Sequence, residues 1–256
     1  KLSDLTQAQQ ASDGPSIVYH DKTIYRFGGR NTKSDRAMKH CEYLKLDGKG
    51  KKQWVTMAGQ LNERRCSGSA IFLGAHESLL MIGGDDNGDE LSSVEEYDFD
   101  ERKWCMKASM NKTRNDFGIC SVSDHELLVF GGHSVDENSG ISGFLDCVEK
   151  YNYNLDKWTL LNTQMPFGKR ARCGAFHWKQ LNTNRVVVAG GTAPARDIVE
   201  CLDLEKLKWT SYPNLNSCHW FSKIGTLSGE SPHILYVVGV NEKSKLDVVE
   251  YLDTRQ

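Results

Sequence analysis

Apolar positions along the chain either alternate with polar ones, as in Ser93-Val-Glu-Glu-Tyr97, or form short continuous runs, as in Arg185-Val-Val-Val-Ala189. No stretch keeps a helical period. Both patterns predict β-strands in sheets with a buried face, so the chain reads as all-β.

The runs also repeat. Phe27-Gly28-Gly29, Ile82-Gly83-Gly84, Phe130-Gly131-Gly132 and Ala189-Gly190-Gly191 each end a β-branched or aromatic run, and Val238-Gly239-Val240 is a degraded fifth copy. A polar loop follows each, then a segment carrying Glu: Cys41-Glu-Tyr-Leu44, Val94-Glu-Glu-Tyr97, Val148-Glu-Lys-Tyr151, Val199-Glu-Cys-Leu202 and Val249-Glu-Tyr-Leu252. Trp104, Trp158 and Trp209 lie nine residues after Glu95, Glu149 and Glu200, and Trp54 lies twelve after Glu42 because Asp47-Gly-Lys-Gly50 lengthens that turn. A period near fifty residues with Gly and Trp landmarks predicts stacked sheets of four strands. The first strand starts near a recurring Gly (Gly14, Gly68, Gly118, Gly174, Gly225) and the second runs into the glycine pair. The third carries Glu and Tyr, and the fourth begins at Trp.

Composition adds little beyond exclusions. The 256 residues hold 32 basic and 34 acidic side chains, for a net charge of -2, which offers no general attraction to nucleic acid or to anionic membranes. No apolar run approaches the ~18 residues of a membrane span, and the start lacks a signal-peptide core, so the expected location is the cytoplasm, with the nucleus or cytoskeleton as alternatives. The eight cysteines stand singly with no Cys-x-x-Cys pair, which favours reduced thiols over a zinc site. No metal and no cofactor is expected.

Double glycine, then a spaced Tyr and Trp, resembles the kelch repeat over nearly the whole chain, and most closely the kelch domain of BTB-kelch (Kelch-like) proteins. The resemblance implies a β-propeller with one four-stranded blade per repeat. The first glycines of successive pairs fall at 28, 83, 131, 190 and 239, so five blades are expected, in one domain spanning 1–256. The fifth copy ends after its third strand. Counting back from Gly14 places Lys1 to Leu5 as the outer strand of the last blade, closing the ring; a sixth, hidden blade is the alternative.

Strand parity puts the loops between second and third strands, and the links from one blade to the next, on one face, where loops on a rigid scaffold commonly carry function. Arg30 to Lys39 holds four bases and one acid, whereas Asp85-Asp86-Asn87-Gly-Asp-Glu90 holds four acids and no base. Arg64, Arg114 and Arg170 each lie four residues before a landmark Gly. Pairing with the recurring third-strand Glu would give them a structural role; exposure would give them a binding role. Two residues before the landmark stand Ser12, Cys66, Asp116, Arg172 and Lys223. In kelch substrate receptors arginines at such sites read acidic motifs, and Arg172 and Lys223 match in type.

The candidate partner-binding set is therefore Arg172, Lys223, His219, Trp220, Arg65, Asn115, Asp116, Asp85, Asp86, Asn87, His133, Arg196 and Asn241. The resemblance implies a protein-interaction module rather than an enzyme: the substrate-recognition domain of a BTB-kelch adaptor. A separate N-terminal domain would engage the cullin ubiquitin ligase, and the isolated domain would be a monomer. The expected partner is a short acidic or phosphorylated peptide. A cytoskeletal, actin-binding scaffold is the alternative. Catalysis would need converging ligands, for which His133 and His219 are the loop-face histidines.

Overall fold

The computed structural model describes residues 8, 10–46, 52–74, 77–135, 139–180, 183–192, 194–217, 219–226, 234–241, 244 and 247–253. It is all-β, and among these residues no helix is long and apolar enough to cross a membrane. The chain falls into two compact units, residues 1–115 and 116–256.

Five antiparallel blades of the β-propeller type follow the repeat. The first unit holds two: Ser16–His20, Thr23–Phe27, Cys41–Lys45 and Val55–Thr56; then Ser69–Leu73, Ser78–Asp86, Asp89–Asp98 and Lys103–Lys107. The second holds three: Gly118–Ser121, Glu126–Phe130, Cys147–Asn152 and Lys157–Gln164; then Gly174–Gln180, Thr183–Ala189, Val199–Asp203 and Lys208–Ser211; then His219–Gly225, Ile234–Asn241 and Asp247–Asp253. The last blade thus shows three strands among the described residues. Its expected outer strand, Lys1 to Leu5, lies outside them, as does the ring closure that depended on it.

Register explains the spacing of the aromatic landmarks. Tyr97 lies directly opposite Trp104, and Tyr151 opposite Trp158, on neighbouring antiparallel strands. The ring centroids are 5.3 and 5.0 Å apart, so a constant turn keeps each pair in contact. Leu202 takes the Tyr position opposite Trp209. In the first unit Phe27, Leu79, Met81, Tyr97 and Trp104 form one core cluster. In the second, Leu128, Phe130, Val148, Val186, Val188 and Leu202 form another.

The glycine pairs are required by close approach. Gly28 and Gly29 have φ of 57° and 90°, and Gly131 and Gly132 have 60° and 105°. The Gly29 N–H donates to the Arg65 carbonyl and the Gly132 N–H to the Arg170 carbonyl, both at 2.9 Å. A Cβ at Gly28 or Gly131 would press into those same carbonyls, which belong to the link entering the next blade.

Two expectations change. The polar stretch Asp85 to Glu90 is mostly strand, because Asn87 and Gly88, with φ of 58° and 111°, make a two-residue hairpin turn. The landmark glycine is displaced in three blades. Ser69, Gly118 and Gly174 open their blades' first strands, but Ser16 does so in the first blade, two residues after Gly14, and Gly225 ends its strand.

Replacing Gly131 by Ala is expected to lower unfolding stability by about 2 kcal/mol or more, from positive φ plus the clash with the Arg170 carbonyl. Gly143→Ala, which meets nothing within 4 Å, is expected to stay within about 0.5 kcal/mol in the same denaturant titration.

Candidate functional site

The loop face is organised by buried carboxylates. Glu42, Glu95, Glu149 and Glu200, one per third strand, have no exposed surface. An ionised carboxylate in such a place needs a cation or several N–H donors. Glu95 receives Arg65 at 2.6 Å and the backbone N–H groups of Asn62 and Glu63 at 2.6 and 3.1 Å. Arg65 also donates to the Gly83 carbonyl at 2.8 Å and the Ser93 hydroxyl at 3.1 Å. Glu200 pairs with Arg170 and accepts the Phe167 N–H at 3.0 Å. Burial pushes the Arg170 pKa down from its ordinary value. In the first blade the cation comes from a strand instead: Arg26 holds Glu42 at 2.5 Å and donates to Ser12. In the fifth, Glu250 accepts from the Asn216 and Ser217 N–H groups at 2.6 and 3.0 Å.

This geometry corrects one assignment. Arg114 and Arg170 are fully buried, but in the second blade the buried arginine is Arg65, whereas Arg64 is exposed. Arg65 is thus a structural residue rather than a partner contact. The cause is a one-residue slip of the Gly68 landmark. Gly14, Ser67, Asp116 and Arg172 share a positive φ, and two residues before them stand Ser12, Arg65, Arg114 and Arg170. The equivalents within each unit touch: the Ser67 N–H donates to the Gly14 carbonyl at 2.8 Å and the Arg172 N–H to the Asp116 carbonyl at 2.5 Å. Ser12 and Cys66 therefore stand outside this set, and so does Lys223, which pairs with Val238 as Gly174 pairs with Ala189.

In the second unit the structure brings Asp116, Arg172 and Lys223 together. Asp116 accepts from Arg172 Nε at 3.0 Å, with the Arg172 side chain about a third exposed. Lys223 is solvent-accessible, yet the protein crowded around it pushes its pKa down, while nearby Cys173 and Asp116 oppose that shift. Asn115 is half-buried beside this group in sequence and closes the first unit. His133 lies elsewhere, in a ribbon of His133–Val135 against Ser142–Phe144, with its Nε2 2.6 Å from the Ser142 hydroxyl. Asn241 accepts the Ser244 N–H, and Arg196 is half-buried in the loop before Val199–Asp203. His219 and Trp220 belong to the first strand of the fifth blade, and their side chains lie outside the described residues.

In the first unit the acidic turn is engaged internally. Asp85 accepts from Arg30 at 2.8 Å and from the Gly88 N–H at 2.9 Å, while Asn87 bonds Asp86 and accepts the Ala37 N–H. Among the described residues no group of three His, Cys, Asp or Glu converges as a metal site. Burial raises Cys41 to about 12 and Cys201 to about 11, so neither is primed as a nucleophile.

A family model, the KLHDC2/KLHL20/DRC7 Kelch-repeats domain, matches residues 14–239. The chain belongs to the kelch-repeat family. Kelch-like protein 41a of Danio rerio is 23% identical over 163 residues, covering 62% of this chain and 26% of that protein. Alpha-scruin of Limulus polyphemus is 27% identical over 177 residues, 64% of this chain and 18% of that protein. An F-box/kelch-repeat protein of Arabidopsis thaliana is 32% identical over 117 residues, 44% of this chain and 26% of that protein. The kelch domain thus spans about a quarter of the length of the curated relatives it matches. Kelch membership makes this chain a protein-interaction module.

Arg64→Ala is expected to leave thermal stability within about 0.5 kcal/mol of wild type, because its side chain is exposed. Arg65→Ala, which strands Glu95 without its cation, is expected to cost about 3–5 kcal/mol in the same melts.

Proposed function

We propose that this kelch domain is the substrate-recognition part of a larger adaptor for a cullin-type ubiquitin ligase and holds a short acidic motif on its loop face. The observation that carries the reading is the Asp116–Arg172 pair: a guanidinium set at a positive-φ position, oriented through Nε and still partly exposed. Guanidinium is suited to carboxylate and phosphate, and Lys223 beside it adds a second cation. Arg196 and Asn241, elsewhere in the same unit, are further candidate contacts in this reading. In this reading the domain binds and does not catalyse; the ligase is engaged by a separate domain of the full-length protein. The relative whose name joins kelch repeats to an F-box supports a division between recognition and other modules.

The alternative reading is a cytoskeletal scaffold that binds actin. Sedimentation of the domain with actin filaments separates the two.

With an Asp/Glu-rich peptide library, Arg172→Ala and Lys223→Ala are each expected to weaken binding about tenfold, the equivalent of one well-placed charge-assisted contact. Asp116→Asn removes the competing carboxylate and is expected to strengthen it. Affinities unchanged in all three variants would refute this placement.

A further inference from the structure

A cleft of about 370 Å³ opens in the first unit, lined by Arg36, Lys39, His40 and Arg64 together with Asn31, Ser34 and Gln60 among others. Its size is that of a small-ligand site. Its lining holds no carboxylate.

The charges around it are unbalanced for an identifiable reason. Four acids of the neighbouring segments, Asp35, Glu42, Glu63 and Asp85, are engaged elsewhere. Asp35 and Asp85 both turn to Arg30, at 3.9 and 2.8 Å. Glu42 is fully buried against Arg26, and His40 leans on it at 3.4 Å. Glu63 pairs with Arg65 at 3.1 Å. Thus one arginine of the basic segment, Arg30, takes up Asp35 and Asp85, while Arg36 and Lys39 lie on the cleft side. The guanidinium groups of Arg36 and Arg64 are exposed and have no carboxylate partner among the described residues. Lys39 is anchored by donation to the Asn62 carbonyl, which fixes its ammonium at the wall. Asn62 is itself pinned through its N–H to buried Glu95. The wall of the cleft is therefore built on the same buried framework as the blade.

We infer that this cleft binds a phosphate monoester carried by a partner protein, a phosphoserine or phosphothreonine. Three permanent cations with amide and hydroxyl donors between them suit a group bearing close to two charges and three acceptor oxygens better than a single carboxylate. The inference relies on the interaction-module reading only for the source of the phosphate; the cleft is independent of Arg172 and Lys223.

The test uses a Gly/Ser peptide library with one fixed phosphoserine and its unphosphorylated counterpart. Affinity is measured by titration, and the arginine Nε–H signals are followed by NMR. The phosphorylated peptides are expected to bind at least about tenfold more tightly and to shift the Arg36 and Arg64 signals. Arg36→Ala and Arg64→Ala, both exposed and expected to melt as wild type, should remove that preference, while Arg172→Ala keeps it. Equal binding of the two libraries overturns the proposal. So does a phosphate preference that survives in the Arg36→Ala/Arg64→Ala double variant, or one that needs Arg172. Inorganic phosphate shifting both arginine signals while the phosphopeptides do not also overturns it, since the phosphate then does not come from a partner protein.

Discussion

A glutamate with no exposed surface in the third strand of four of the five blades is the constraint on which the loop face depends. Removed from water, the carboxylate must be matched, and for Glu95 and Glu200 the chain supplies the match from the segment that links one blade to the next, whereas Glu42 takes Arg26 from the neighbouring strand. For Glu95 that means a guanidinium and two consecutive backbone N–H groups. Each unit thereby converts a desolvation cost into a fixed path for the link. The carbonyls of that link then receive the glycine-pair N–H groups of the preceding blade. Pairing and close approach are one arrangement seen from two sides.

The recognition surfaces are consequences of this frame. Arg172 is held at a positive φ two residues after buried Arg170, so its direction follows from the pair beneath it. Arg64 is exposed because Arg65 is buried: in a tandem of arginines the inner one satisfies Glu95 and the outer one faces water. Lys39 reaches the cleft wall through the carbonyl of Asn62, whose N–H is held by Glu95. Positive charge on this face therefore comes in two kinds, buried cations that fix the backbone and exposed ones available to a partner.

Most of the fold could be read from the chain, because its signals are local and repeated. The glycine pairs, the Glu and the Trp each mark a fixed register, and Tyr97 opposite Trp104 shows why the spacing between Glu and Trp stays constant. Reading failed where a landmark rested on one residue type. Gly68 stands one residue before the strand that opens at Ser69, and this one-residue offset exchanges the roles of Arg64 and Arg65. In the fifth blade Gly225 lies two residues beyond the register position of the other landmarks, which Lys223 itself occupies. The better guide is backbone conformation: any of Gly14, Ser67, Asp116 and Arg172 can take the positive φ, so no single residue type announces it. The basic segment from Arg30 to Lys39 was visible as a run of charge. That Arg30 would take up Asp35 and Asp85 depends on tertiary contacts that spacing does not encode.

If the buried carboxylates hold the links in place rather than only adding stability, removing both charges together should leave the blade folded but free the link. Amide hydrogen exchange in an Arg65→Met/Glu95→Leu double variant tests this directly, since replacing both members of a buried pair by apolar residues is often close to neutral for stability. The account predicts that the Asn62 and Glu63 amides lose their protection while the strands Leu79 to Ile82 and Val94 to Tyr97 keep theirs. Protection at Asn62 and Glu63 unchanged from wild type would contradict it.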